Sequence, residues 1–356
     1  MIENYQFFAE KLLAWAAKTE RNLAWKGEKN PYFIWLSEIL LQQTRAEQGL
    51  PYYERFKIAF PTINDLAKAT EDEVFKLWQG LGYYQRARNL HATAQWISEK
   101  YAGVFPSTYA EIRALKGVGD YTAAAIASFG FNLPHAVLDG NVYRVLSRFW
   151  GIEKPIDEAK NKKEFAQLAQ NLLADNPPAT YNQAIMDFGA IHCKPKNPLC
   201  GTCLHSSKCV AFREQKQAIL PIKIKKIKRK ERYFYYFIYH FDNKILLRKR
   251  SDKDIWQGLY DFCLLEMDSL HDKEDLLQIA DFEPFINQKE PLKSISQPFS
   301  QQLTHQKIVA VFVEIDLKKN IIVPDNCIWV DLAAVQNYAF PKIVSDYLEN
   351  KTLTLF

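Results

Sequence analysis

Two carboxylates and four cysteines stand out as groups able to do chemistry. Glu38 is the only charged residue of PYFIWLSEILLQQT, residues 31–44. On a helix it has Ile34 and Trp35 one turn before it and Leu41 and Gln42 one turn after. A carboxyl in apolar surroundings keeps its proton near neutral pH, as a general acid must. Most lone helical glutamates face solvent; the apolar run around this one sets it apart. Asp139, in HAVLDGNVYRV, follows an apolar stretch and precedes Gly140 and Asn141. Asp-Gly-Asn is also a turn and N-cap sequence. Capping and catalysis are compatible, since both expose the carboxylate at a helix N-terminus.

Cys193, Cys200, Cys203 and Cys209 crowd into HCKPKNPLCGTCLHSSKC, residues 192–209. In a reducing compartment such clusters are metal ligands more often than disulfides. Their spacing matches neither the paired Cys-x2-Cys of common zinc ribbons nor the usual ferredoxin patterns. Iron and zinc therefore both stay open on spacing, with His192 and His205 as spare zinc ligands. Cys263 and Cys327 lie apart and read as core thiols.

Two glycine pairs suggest backbone recognition. LKGVGDYTAAAIASF (115–129) sets Gly117 and Gly119 between helical stretches. Glycines there permit a tight turn, and the following helix N-terminus offers free N–H donors to a phosphate. QGLGYYQRARNL (79–90) repeats the arrangement with Gly80 and Gly82, then Tyr83, Tyr84, Arg86 and Arg88. Aromatics beside arginines suit a loop that enters a base stack while cations hold phosphates. An interhelical turn or a solvated arginine face would look the same singly; the pair of hairpins tips the reading toward DNA.

These groups need a scaffold. The 356 residues, 48% hydrophobic and 24% charged, are ordinary globular values and suffice for about two domains. The net charge of +5 permits nucleic-acid binding without requiring it. Charges interrupt residues 1–18 too often for a signal peptide, and no apolar run reaches membrane-spanning length, so a cytoplasmic protein without a membrane partner is expected. Apolar residues recur at helical spacing in 5–18, 33–43, 63–78, 86–100, 108–115, 121–130, 141–149 and 163–174. The first half thus reads as all-α. PIKIKKIKRKER (221–232) is a basic joint, either a solvated linker or a DNA contact. Beyond it, residues 233–241, 244–250 and 307–317 are aromatic and β-branched, as strands require, giving a separate α+β domain.

Together, WLSEILLQQTR, GLGYYQRARNL, LKGVGDYTAAAI, VLDGNVYRV and the four cysteines occur in the order found in helix-hairpin-helix DNA glycosylases with an iron–sulfur cluster. LSEILLQQTR and LDGNVYR resemble the adenine DNA glycosylases of the MutY type. The resemblance implies a helical glycosylase domain over 1–221, with its hairpin at 115–122 and iron–sulfur segment at 192–209. A basic linker (222–230) and a smaller α+β Nudix-like domain (231–356) would follow. It implies Glu38 as acid, Asp139 as stabiliser or transient nucleophile, and Asn141 orienting Asp139. Trp25 and Lys26 match the adenine-pocket segment, although Ala24 replaces the usual proline and Lys26 the usual arginine. Gln43 and Tyr83 match residues that fill or wedge the stack, and Gly117 and Gly119 the phosphate hairpin, with Lys116 where proline is usual. Tyr121 stands where lyase-competent relatives carry a Schiff-base lysine, so a monofunctional enzyme is implied. Cys193, Cys200, Cys203 and Cys209 would hold one 4Fe–4S cluster. The cluster would brace the end of the helical half, with Lys194 and Lys196 turned toward phosphates.

In the C-terminal domain, RSDKDIWQGLYDF matches a Nudix-like segment, while the glutamate-rich hydrolase box has no counterpart. The implied role is reading 8-oxoguanine opposite adenine. Thr304 and His305 are the favoured readers, against Ser300 and Gln301, with Leu303 in place of an aromatic. The expected partner is double-stranded DNA with A:8-oxoG or A:G mispairs, bound by a monomer. Competing readings are an endonuclease III-like pyrimidine-lesion glycosylase with lyase activity, a non-catalytic iron–sulfur DNA-binding protein, and a nucleotide pyrophosphatase.

Overall fold

A computed structural model describes residues 2–224, 229–251, 253–271, 292–323 and 325–353. The chain divides into two compact units, residues 1–68 with 89–225, and residues 69–88 with 226–356. The second unit thus includes a piece of the sequence half expected to be wholly glycosylase-like. Among the described residues no helix is long and apolar enough to cross a membrane.

The first unit is helical, as periodicity predicts. Its helices are α1 (Ile2–Ala16), α2 (Pro31–Leu41), α3 (Ala46–Ala59) and α4 (Ile63–Lys68). After the excursion containing α5 (Glu71–Trp78) come α6 (Gln85–Tyr101), α7 (Tyr109–Ala114), α8 (Asp120–Phe131), α9 (Gly140–Trp150), α10 (Ala159–Leu173) and α11 (Pro178–Asp187). The unit boundary passes through the first turn of α6. A π-turn (Phe188–His192), a 3-10 turn (Cys200–Thr202) and the short α12 (Val210–Arg213) complete the unit.

The helix expected over 63–78 is two, because Thr70 and Glu73 form a capping box that starts α5 afresh. Helix α3 escaped the periodicity because Gly49 and Pro51 interrupt it. Phe8, Leu12, Val145, Leu146, Phe165, Leu172, Tyr181 and Phe188 form the core, and Cys193, Cys203 and Cys209 pack against it. Burying each large apolar side chain stabilises by roughly 1.5–3 kcal/mol. This core holds α1, α9, α10 and α11 as the rigid back of the site described below.

Among its described residues the second unit is built on an eight-stranded sheet: β1 (Lys230–Phe241), β2 (Lys244–Lys249), β3 (Tyr260–Asp261), β4 (Cys263–Met267), β5 (Leu292–Ile295), β6 (Phe299–Gln302), β7 (Gln306–Asp316) and β8 (Cys327–Asp331). Strands β1 and β7 run parallel at its centre, from Lys230 opposite Gln306 to His240 opposite Asp316. Residues 234–239 of β1 are buried without alternation, the mark of a strand covered on both faces. Tyr235, Phe237 and Tyr239 enter one core with Cys263 and Cys327. On the other face Phe312 stacks on Tyr347 of α13 (Lys342–Leu353) at 4.0 Å. Glu314 of β7 accepts from Tyr347 and Lys351, tying α13 down. Strand β1 starts inside the expected linker, whose Lys225, Lys226 and Lys228 lie outside the described residues.

Candidate active site

Helix α2 carries Glu38 among Ile34, Trp35, Leu36, Ser37 and Ile39, all buried, so this stretch is covered all round. The carboxyl is itself 7% exposed. Desolvation raises its pKa to about 7, against the hydrogen bond from Tyr121, which lowers it, and the nearby Asp139 charge adds to the rise. Tyr121 stands in the first turn of α8, immediately beyond the Gly117–Gly119 hairpin. Burial and the two carboxylates hold its phenol well above the usual range, so it stays a proton donor.

Asp139 is the N-cap of α9. Its Oδ1 accepts from the Val142 N–H at 2.8 Å and its Oδ2 from Asn141 Nδ2 at 2.7 Å. Burial raises its pKa, while those donors and the Arg144 charge pull it down. The same hydrogen bonds fix the carboxylate's direction. The sequence left capping and catalysis compatible, and here the capped carboxylate opens into the same cavity as Glu38.

That cavity measures about 1070 Å³. Glu38, Tyr121, Asp139 and Asn141 line it together with Trp25, Lys26 and Gln43. Gln43 is exposed with a left-handed backbone (φ +58°). Trp25 packs edge-on to Tyr53 at 5.7 Å. Lys26 Nζ reaches Asp187 Oδ2 at 3.0 Å, and Arg21 Nη1 reaches Asp187 Oδ1 at 2.9 Å. Asp187 therefore pins the loop bearing Trp25 against the end of α11. It is 5% exposed, and nothing in the sequence around it signalled burial.

Two arginines of α9 were also missed. Arg144 donates to Asn141 Oδ1 at 2.9 Å, to the Gly189 carbonyl at 2.6 Å and to the Cys193 carbonyl at 2.8 Å. One turn on, Arg148 donates to the carbonyls of Lys194 at 2.7 Å, Gln217 at 2.7 Å, Pro195 at 3.1 Å and Leu220 at 3.1 Å, and approaches Cys193 Sγ at 3.4 Å. Their i, i+4 spacing toward one side of the helix was the available signal. Helix α9 thus carries Asp139 at its start and grips the cysteine segment along its length. Gly189 lies against this junction: a Cβ there would stand 2.6 Å from the Asn141 Cβ.

Cys193, Cys200, Cys203 and Cys209 line one cavity with Phe8, Arg148 and His205. Among the described residues no three His, Cys, Asp or Glu side chains come close enough together to hold a metal ion as they stand. Burial, then mutual repulsion, raises the Cys203 thiol to about 11, with the His205 N–H bond opposing. Burial likewise raises Cys200 and Cys209. Four cysteines set around one space are a donor set that fits a metal centre. His205 instead donates from Nε2 to the Phe8 carbonyl at 3.1 Å, its ring tilted against that of Phe8 at 4.7 Å, as a core residue.

Gly117 adopts φ +82° with its Cα against Asn89, where a Cβ would sit 2.9 Å from the Asn89 Cβ, so glycine is required. Gly119 caps α8 in extended backbone with open space around it, leaving the helix N-terminus accessible. In the other unit Tyr83 is 44% exposed with φ +53°. Its hydroxyl hydrogen-bonds Thr304 in the β6–β7 turn. His305 is exposed in that turn. Ser300 and Gln301 instead sit in β6, laddered with Val309 and Ile308 of β7.

Residues 36–173 match the model of the HhH-GPD superfamily of base excision DNA repair proteins, and residues 234–350 that of the NUDIX domain. The chain is 32% identical over 353 residues to the adenine DNA glycosylase of Buchnera aphidicola subsp. Acyrthosiphon pisum, covering 98% of this chain and 99% of that protein. It is 38% identical over 219 residues to the Homo sapiens adenine DNA glycosylase, covering 59% of this chain and 40% of that protein. A thermostable thymine-DNA glycosylase structure superposes with a TM-score of 0.56 at 30% identity, covering 60% of this chain and 98% of that one. Endonuclease III in a non-covalent DNA complex gives 0.52 at 20% identity, covering 60% and 98%, a likeness of fold. With a relative matched end to end, and with the capped aspartate and buried glutamate facing one cavity, the chain belongs to the adenine DNA glycosylase family of base excision repair.

Proposed function

We propose that the chain removes adenine mispaired with 8-oxoguanine or guanine in duplex DNA, as a monomeric, monofunctional glycosylase. The observation that carries this is the meeting of Glu38 and Asp139 in one cavity, the first held near a pKa of about 7 and the second aimed by Asn141 and the α9 N-terminus. The adenine leaves the stack and enters the cavity, at a cost of a few kcal/mol. Trp25 and the Lys26–Asp187–Arg21 group form its wall. Glu38 gives its proton to the base, so adenine departs neutral. Asp139 faces the developing oxocarbenium ion, and water completes the hydrolysis. Tyr121 keeps Glu38 oriented through its hydroxyl. It has no amine with which to form a Schiff base, which supports simple hydrolysis over strand cleavage.

The four cysteines would hold one 4Fe–4S cluster, supported by their shared cavity and by the Arg148 contact to Cys193. Bound there, the cluster supplies a structural core for residues 192–209. The Gly117–Gly119 turn and the α8 N-terminus would hold a phosphate, and Thr304 with His305 would meet the base opposite the adenine. The test is single-turnover excision on A:8-oxoG, A:G and A:T duplexes, with borohydride added in parallel. Adenine release ordered A:8-oxoG, A:G, A:T, with no trapped covalent product, supports the reading. Equal inactivity on all three, or efficient trapping that requires Tyr121, overturns it.

A further inference from the structure

Tyr83 belongs by sequence to the helical half, yet residues 69–88 form one compact unit with the C-terminal sheet. The attachments run the length of the segment. In the first turn of α5, Asp72 accepts from Lys249 Nζ at 2.7 Å and from the Tyr260 hydroxyl at 3.1 Å. At its end, Lys76 Nζ donates to the Tyr338 carbonyl at 3.1 Å, and Gln79 Nε2 to Ser345 Oγ at 2.9 Å. Past the turn, Arg88 donates to the Gln257 carbonyl. Gly258, at φ +84°, lies so close that a Cβ would stand 2.6 Å from Phe75 and 2.9 Å from Arg88. Within the turn, the buried Arg86 guanidinium lies between the rings of Trp78 (5.2 Å) and Tyr83 (5.3 Å) and donates to the Gly82 carbonyl at 3.1 Å.

The geometry points to Asp72, Lys76 and Gln79 as positioning residues for opposite-base discrimination: they dock α5 on β2, β3 and α13 so that Tyr83 and Thr304 form a single reading element. This rests on the function proposed above. Each bond alone is modest, because exposed ion pairs contribute little. Several along one short helix define its height over the sheet. The wedge and the reading turn are then fixed relative to each other before DNA arrives, as their hydroxyl contact requires. A guanine lacking the 8-oxo group meets the same pair, so the difference between the two bases is measured against a preset spacing. A loose α5 would let Tyr83 drift and accept either base. None of the three residues lines the catalytic cavity, so the bond-breaking step is left alone.

The test compares the wild type with Asp72→Ala/Lys76→Ala/Gln79→Ala and with the single Asp72→Glu, all as full-length holoprotein. Single-turnover adenine release is measured on A:8-oxoG and A:G duplexes at saturating enzyme, alongside thermal melting. The expected result is a tenfold or larger fall in the A:8-oxoG to A:G rate ratio for the triple variant. Its A:G rate should stay within about threefold of wild type, and Asp72→Glu should retain the wild-type ratio. An unchanged ratio in a triple variant that melts like wild type overturns the inference. An equal loss on both duplexes also overturns it, since that marks a general structural role. A wild type that releases no adenine refutes the underlying function instead, so the two failures are separable.

Discussion

The Tyr121 hydroxyl hydrogen-bonds the Glu38 carboxyl, joining the first turn of the hairpin helix α8 to the acid buried on α2. The N-terminal end of α8 lies open at Gly119, while its second residue reaches the buried acid. In the proposed function, duplex binding and readiness of the acid would share this one helix.

Glu38 titrates at about 7 because burial opposes its ionisation. A general acid works protonated, so the single-turnover rate should fall as pH rises through that value. Asp139 works ionised and its pKa is also raised, so the rate should decline again on the acid side. Glu38→Gln should lower the rate by ~10²–10⁴ and abolish the alkaline limb. Rate against pH for wild type and Glu38→Gln checks both statements.

Asp139 caps α9 and is proposed to face the oxocarbenium ion, two roles that substitution can separate. Asn still caps α9 but carries no charge, so Asp139→Asn should melt near wild type and release no adenine. Ala loses the cap as well, costing a further ~1 kcal/mol of stability. Melting curves beside excision rates distinguish the two variants. If Asp139→Asn keeps wild-type rates, Asp139 is a cap and nothing more.

Gly189 should tolerate no side chain. Its missing Cβ would stand 2.6 Å from the Asn141 Cβ, and Asn141 holds Asp139 Oδ2 at 2.7 Å. Gly189→Ala should therefore depress excision at least tenfold, about 1.4 kcal/mol in the barrier, while duplex binding persists. Binding by fluorescence anisotropy and excision on the same preparation read the two effects separately.

Arg148 is 3% exposed, and four carbonyls of the cysteine segment and its C-terminal extension depend on its guanidinium. Arg148→Met leaves these mostly part-buried carbonyls without their donor, at a combined cost of a few kcal/mol. The variant should melt several degrees lower and lose iron and its absorbance near 400 nm faster under chelation. Iron content over time checks this. Colourless wild-type protein with one zinc would refute the cluster itself.

How much of this was legible follows from what sets burial. Glu38 could be picked out because its neighbours in sequence are also its neighbours on the helix, so the apolar run predicts a dry site. Asp139 and Asn141 were legible for the same reason: the cap is local. Arg144 and Asp187 were not, because their partners lie far along the chain, Cys193 for one and Arg21 for the other. A charge on a helix reads as solvated until the packing covers it. The membership of α5 in the C-terminal unit was hidden likewise: Asp72, Lys76 and Gln79 look like a solvent face, and they are a docking face. Two strands of the sheet's centre were plain in their unbroken apolar runs. The short β3, β5 and β6 take their identity from partners in β2 and β7.

The most direct measurement is release of free adenine from an A:8-oxoG duplex in a single turnover, by wild type, Glu38→Gln and Asp139→Asn. Stoichiometric release is expected from wild type, release slowed by ~10²–10⁴ from Glu38→Gln and none from Asp139→Asn, with duplex binding retained by all three. Wild-type protein that binds the duplex and frees no adenine, or variants that free it at the wild-type rate, would contradict it.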